Sequence, residues 1–207
     1  LVRHIRDQGA QTGVLSTEDL DPASLARKAK AAPTLIGRDL VKEVTCKDRY
    51  AWEEGTWVLG QGYKKKGAAR YHAVALDFGI KRNILRGLSD AGFRLTVVPA
   101  ATRAEEILKL SPDGIFLSNG PGDPEGLPYA VKTVRSLLDD YPIFGICLGH
   151  QLTALALGGS TYKLKFGHHG GNHPVMNLRT GKVEISVQNH CYAVRPETLP
   201  RSVQPYF

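Results

Sequence analysis

The sequence predicts an α/β fold, an open and mostly parallel sheet with helices on both faces, and three observations carry that reading. From residue 72 onward, short apolar runs alternate with segments of helical spacing. Each run is apolar at nearly every position, as in a strand buried on both faces, and does not alternate like a half-wet one. Two glycine-rich stretches, 118–124 and 145–151, directly follow such runs, and parallel sheets build their sites at the carboxyl ends of strands.

The elements follow in order. Leu1 to Gln8 reads as the end of a helix stopped by Gly9, and Gly13 to Ser16 as a short strand. Asp21-Pro22 starts an Ala- and Lys-rich helix, Asp21 as N-cap and Pro22 at the first helical position, ending near Ala31 ahead of Pro33. Residues 34–70 carry Trp52 and Trp57 among glycines without sustained periodicity and read as a connector. Ala73 to Asp77 is the first strand of the sheet, and Ile80 to Ala91 has helical spacing at Ile84, Leu85 and Leu88. Leu95 to Val98 is a second strand and Ala104 to Leu110 a helix. Gly114 to Leu117 is a third strand, with a helix from about Tyr129 to Leu138. Ile143 to Ile146 is a fourth, running into a helix over Gly149 to Leu157, and 161–166 and 183–189 are further strands.

Composition narrows the function classes. With 42% hydrophobic and 23% charged residues in 207, the chain is globular rather than disordered. No apolar run approaches the roughly 18–20 residues of a membrane helix, and no signal-peptide core is visible at the N-terminus. Cys46, Cys147 and Cys191 lie far apart without CxxC spacing. That pattern fits reduced thiols in a cytoplasmic protein better than a disulfide framework or a zinc site. The formal charge of +7 invites a nucleic-acid reading. Its densest cluster, Lys64-Lys65-Lys66 with Arg70, comes without any recognition motif and reads as a solvated linker run.

The strongest local signal is Gly145-Ile146-Cys147-Leu148-Gly149-His150-Gln151. A cysteine between glycines at a strand-to-helix junction has the pattern of a nucleophile elbow. The helix N-terminus that follows is expected to lower the thiol pKa. The plainer reading is a buried cysteine filling the sheet edge. Ser118-Asn119-Gly120-Pro121-Gly122-Asp123-Pro124 is either only a turn or, beside the elbow, a source of backbone amides for an oxyanion. Its prolines and the lack of a following Gly-Lys-Ser/Thr argue against a phosphate loop. His168, His169 and His173 sit in a glycine-rich stretch that lacks metal-ligand spacing and is expected to be a loop with local hydrogen bonds. Gln188-Asn189-His190-Cys191-Tyr192 is a polar cluster suited to lining a pocket.

These residues resemble a family. The cysteine and Ser-Asn-Gly-Pro-Gly-Asp-Pro motifs together resemble class I (triad) glutamine amidotransferases, a fold of flavodoxin type. Within that superfamily, residues 76–84, 165–174 and 188–190 are similar to the small subunits of carbamoyl-phosphate synthases. The 165–174 stretch weakens a match to other class I amidotransferases. The resemblance implies that Cys147 attacks the side-chain amide of L-glutamine, forming a thioester and releasing ammonia. It implies oxyanion donors at Gly120 and Leu148, and substrate contacts at Gly122, Gln151, Asn189, Cys191 and Tyr192. The implied partner is a large subunit holding the ATP and Mg2+ sites, where ammonia and bicarbonate become carbamoyl phosphate for arginine and pyrimidine synthesis. No cofactor or metal is expected in this chain, and no nucleic-acid or membrane partner.

The chain also departs from the family pattern. Residues 1–20 resemble only the tail of the family's N-terminal domain, 21–71 a connector, and 72–207 an amidotransferase domain incomplete at its C-terminus. A first residue Leu1 rather than Met fits a fragment or a processed chain. Position 191, usually glycine in the family, is Cys. The family's catalytic histidine and glutamate, in a Gly-His-Pro-Glu motif beyond the Gln-Asn-His stretch, have no counterpart before Phe207, and residues 200–207 do not resemble the family's continuation. The expectation is a member of the glutaminase family that hydrolyses glutamine poorly or not at all. The rival is a non-catalytic module that binds glutamine or a large subunit.

Overall fold

The computed structural model describes residues 1–65 and 67–206, so Lys66 of the lysine run and Phe207 lie outside the described residues. Helix α1 (Val2–Gln8) closes at Gly9, whose φ of 86 only glycine adopts without strain. The strand expected at 13–16 is not formed: no strand pairs with it among the described residues, and Leu15 stands in solvent. An isolated extended segment leaves its hydrogen bonds to water and gains no ladder. Helix α2 (Pro22–Ala31) begins as its sequence dictates, with the Asp21 carboxylate accepting from the Ala23 and Ser24 amides at 3.0 and 3.1 Å.

The segment expected to be a connector supplies structure to the sheet. Strand β1 (Tyr50–Trp52) pairs antiparallel with the strand at 93–99. Strands β2 (Glu54–Val58) and β3 (Gly62–Lys65) form a hairpin, so Lys64 and Lys65 belong to a strand and not to a linker. Lys64 pairs with Asp90 at 3.6 Å, which explains how part of that cationic run is spent within the fold.

From residue 71 the chain alternates. Strand β4 (Tyr71–Asp77), helix α3 (Arg82–Asp90), β5 (Phe93–Pro99) and α4 (Ala104–Leu108) come first. Strand β6 (Gly114–Leu117), α5 (Pro128–Arg135), β7 (Ile143–Gly145) and α6 (Leu148–Ala156) follow. The sheet order is β1-β5-β4-β6-β7, with every pairing among β4 to β7 parallel. Successive strands lie on opposite sides of β4, so the loops after β4 and β6 diverge and leave a crevice at their carboxyl ends.

The alternation of side chains along β4 divides the core. Val74 and Leu76 face one layer with Ile115, Leu117, Ile107 of α4, Val134 of α5, and Leu148 and Leu152 of α6. Ala73 and Ala75 face the other with Leu95, Val97, Phe116 and Leu85 of α3. Burial on both faces is why these strands read as unbroken apolar runs. Arg86 fastens the hairpin over α3. Its guanidinium bonds Glu54 at 3.0 Å and Asn83 at 2.7 Å and lies 3.9 Å from the Tyr63 ring centroid.

Strands β8 (Thr161–Met176) and β9 (Val183–Val194) form a separate two-stranded antiparallel ribbon. The histidine-glycine stretch, expected as a loop, is therefore strand, and the expected strands 161–166 and 183–189 are only parts of longer ones. Glycines weaken a strand signal in sequence, but here the ribbon absorbs them at register shifts between 163/168 and 170/173.

Candidate active site

Three loops at the carboxyl ends of β4, β6 and β7 are tied into one frame. Asp77, buried at the end of β4, accepts from the Gly79 and Ile80 amides at 2.9 and 2.8 Å and from the Cys46 amide at 2.9 Å. Ser118 Oγ accepts from the Phe78 amide at 2.8 Å, and the Asn119 side chain bridges Gly79 and Lys81. These bonds fix the backbone of Gly120 against the β4 loop. A Cβ there would lie 2.2 Å from the Phe78 carbonyl, so only glycine fits.

Cys147 sits between β7 and α6 with φ 54 and ψ −109, one of two non-glycine residues with positive φ among those described. Strain of this kind costs on the order of 1–3 kcal/mol and persists only where the surroundings enforce it. Two glycines do the enforcing. A Cβ on Gly145 would meet Gly149 backbone at 2.5 Å, and one on Gly149 would meet the Leu117 carbonyl at 2.2 Å. Helix α6 thus packs backbone to backbone against the sheet, and the turn lifts the sulfur to its surface.

The sulfur faces a cavity of about 180 Å3 lined by Gly120, Pro121, Gly122, Cys147, Gln151, Asn189, Cys191, Tyr192, Leu35, His169 and His190. Seven of the eight residues singled out in the sequence therefore converge on one cavity. The eighth, Leu148, buries its side chain in the core, while its amide, with that of Gly120, draws the Cys147 pKa down. Burial outweighs those two amides and Lys81, so the thiol lies above its ordinary value, opposite to the expectation from the helix end alone. The Cys147 thiol donates to the Asn189 carbonyl at 3.8 Å, and no imidazole among the described residues bonds it.

The ribbon closes the cavity's far side. Gln151, 6% exposed, donates from Nε2 to the Tyr192 carbonyl at 2.6 Å and so links α6 to β9. Burial, with the Asp123 carboxylate nearby, pushes the Tyr192 phenol up to about 12. His190 bonds the Tyr192 carbonyl at 2.7 Å and Gln188 Oε1 at 3.0 Å. His169 bonds Asn189 Oδ1 at 2.9 Å. Among the described residues no group of three His, Cys, Asp or Glu side chains is placed to hold a metal ion. His190 lies in the cavity as part of the 188–192 cluster expected to line a pocket, whereas sequence reasoning did not place Leu35, Pro121 or His169 there. Strand register would have found His169, which lies opposite Asn189. Leu35 carried no signal, because a non-periodic segment brings it there.

An open, mostly parallel sheet with a strained cysteine at a strand-to-helix turn, facing two backbone amides, has the geometry of a nucleophile elbow. The profile described as "Glutamine amidotransferase class-I" matches residues 74–207, and the chain belongs to that family. Within it, the chain is 62% identical over 200 residues to the carbamoyl phosphate synthase small chain of Syntrophotalea carbinolica, covering 96% of this chain and 53% of that one. It is 54% identical over 209 residues to the carbamoyl phosphate synthase small chain of Escherichia coli O6:H1, covering 99% and 55%. The chain thus spans about half the length of the curated relatives it matches. Among solved structures, a Thermoplasma acidophilum protein assigned to the GMP synthases superposes with a TM-score of 0.50 at 27% identity, over 64% of this chain and 70% of that one. No helix among the described residues is long and apolar enough to cross a membrane.

Proposed function

We propose that this chain is the glutamine-hydrolysing part of a carbamoyl-phosphate synthase small subunit, acting in the cytoplasm. The observation that carries the reading is Cys147, held at φ 54 on the elbow and facing the cavity. Its sulfur attacks the side-chain carbonyl carbon of L-glutamine. The Gly120 and Leu148 amides receive the oxyanion, and the C–N bond breaks with a proton delivered to the departing ammonia. Gly122, Gln151, Asn189, Cys191 and Tyr192 hold the substrate, and water then hydrolyses the thioester. Ammonia passes to a large subunit, which uses ATP and Mg2+ to make carbamoyl phosphate for arginine and pyrimidine synthesis. The similarity to the two carbamoyl phosphate synthase small chains supports this assignment. We take residues 72–207 as the body of the amidotransferase domain, 21–71 as a segment that adds the edge strand β1 to its sheet, and 1–20 as the tail of a preceding domain.

The 207-residue chain by itself turns glutamine over poorly. Its Cys147 thiol points to a carbonyl, and no described imidazole is bonded to it to take the proton and return it. Positioned acid–base groups typically contribute roughly 10²–10⁴-fold. The same observation favours a second reading, a module that binds glutamine without turning it over. The test is ammonia release and trapped glutamyl-Cys147 adduct, measured with and without a large subunit, and against a version extended to the length of the relatives. A thioester in both forms with turnover raised more than tenfold by the extension supports the glutaminase. Absence of any adduct in both forms supports the binding module.

A further inference from the structure

The cavity holds a second thiol in a different chemical setting. Cys191 Sγ lies 3.8 Å from His169 Nε2, and His169 Nδ1 lies 2.9 Å from Asn189 Oδ1. Asparagine Oδ1 only accepts, so the neutral ring carries its proton on Nδ1 and turns the Nε2 lone pair to the Cys191 thiol. Strand pairing builds the arrangement: His169 on β8 is in register with Asn189 on β9, and Cys191 is two residues further on the same strand face. The glycine at 167 leaves that nitrogen room, since a Cβ there would lie 2.4 Å from His169 Nε2 as the ring now stands. Thiol, imidazole and side-chain amide in this sequence form the arrangement that activates a nucleophilic cysteine. Cys147, in the same cavity, has a backbone carbonyl in the imidazole's place.

We propose that Cys191 is an oxidation site: the thiol in this protein that a small hydroperoxide modifies first, with His169 as its base and Asn189 orienting the ring. The Cys191 thiol gives its proton to His169 Nε2 as sulfur attacks the peroxide. An S–O bond forms and the O–O bond breaks. Sulfur is oxidised by two electrons to the sulfenic acid and the peroxide is reduced. The departing hydroxide takes the imidazolium proton and leaves as water. The cavity of about 180 Å3 admits a molecule of that size. The inference does not depend on which substrate the cavity serves.

The experiment uses hydrogen peroxide on the full chain, with sulfenic acid trapped by dimedone and located at each cysteine by mass spectrometry. In Cys147→Ser, trapping at Cys191 is expected to persist at the wild-type rate. In Cys191→Ser, the total trapping rate is expected to fall about tenfold, less than a full general-base contribution because a thiol is partly ionised unaided. His169→Ala is expected to slow Cys191 by a similar factor, and added imidazole to restore it, a rescue that a merely structural role for the ring does not give. Native protection of Cys46 from a bulky thiol reagent reports that each variant is folded. Trapping that follows Cys147, or a His169→Ala variant that is folded and as fast as wild type, or one that imidazole does not rescue, overturns the proposal.

Discussion

Replacing Gly149 with alanine isolates the packing that creates the elbow. Gly149 is buried in the first turn of α6, and its amide donates to the Ser118 carbonyl at 3.0 Å. Helix propensity alone favours alanine at an interior position by about 1 kcal/mol. The structure reverses that sign. The added Cβ would lie 2.2 Å from the Leu117 carbonyl oxygen, 2.6 Å from its carbon and 2.7 Å from the Leu117 Cβ. These are atoms of a central strand and not the end of a flexible side chain, so the helix must retreat by roughly 1 Å. Overpacking of this kind costs about 1–3 kcal/mol, and backbone on the opposing side places it at the upper end. The net expectation is a loss of about 2 kcal/mol, or a fall in Tm of about 4–8 °C for a chain of this size. Gly87, exposed in α3 with nothing within 4 Å of an added Cβ, is the control. Gly87→Ala is expected to raise Tm by about 2–4 °C through propensity alone. Thermal and denaturant unfolding followed by circular dichroism measure both variants. Shifts of the same sign in the two variants refute the reasoning, because backbone contact at Gly149 would then play no part.

Three further outcomes are expected. A glutamine-like electrophile at neutral pH is expected to label Cys147 ahead of Cys46 and Cys191, because the cavity orients it at the elbow; equal labelling of the three in folded protein contradicts that geometry. Cys191→Gly is expected to leave glutamine binding unchanged or tighten it, since a side chain is withdrawn from the cavity, and a clear loss in calorimetric titration counts against matching position 191 to the family's usual glycine. Burial and the Asp77 carboxylate push the Cys46 thiol from its ordinary 9.0 up to about 11. Between those pH values the unfolded chain has released this proton and the folded chain has kept it, so Cys46 costs stability as pH rises through the window. Cys46→Ser is expected to flatten the fall in denaturation midpoint over that range, and an unchanged slope counts against a buried thiol.

The sequence by itself determined the parallel sheet and the position of the elbow. Buried parallel strands are read as continuous apolar runs, and Ile115 to Leu117 or Val74 to Leu76 cannot be mistaken for half-wet ones. Capping is equally local, and the Asp21-Pro22 start of α2 stands where its two residues put it. The tertiary structure alone decided what depends on distant segments. Edge strand β1 carries too short a pattern to announce itself, and it exists only because β5 offers an open side. The histidine-glycine stretch became strand because β9 supplied a partner across many residues, which no local propensity records. The ionisation of Cys147 was decided the same way. A helix N-terminus is visible in the sequence, but the burial that outweighs it comes from the loops and the ribbon that close over the sulfur. So was the pairing of Cys191 with His169, which are 22 residues apart in the chain and neighbours only through strand register.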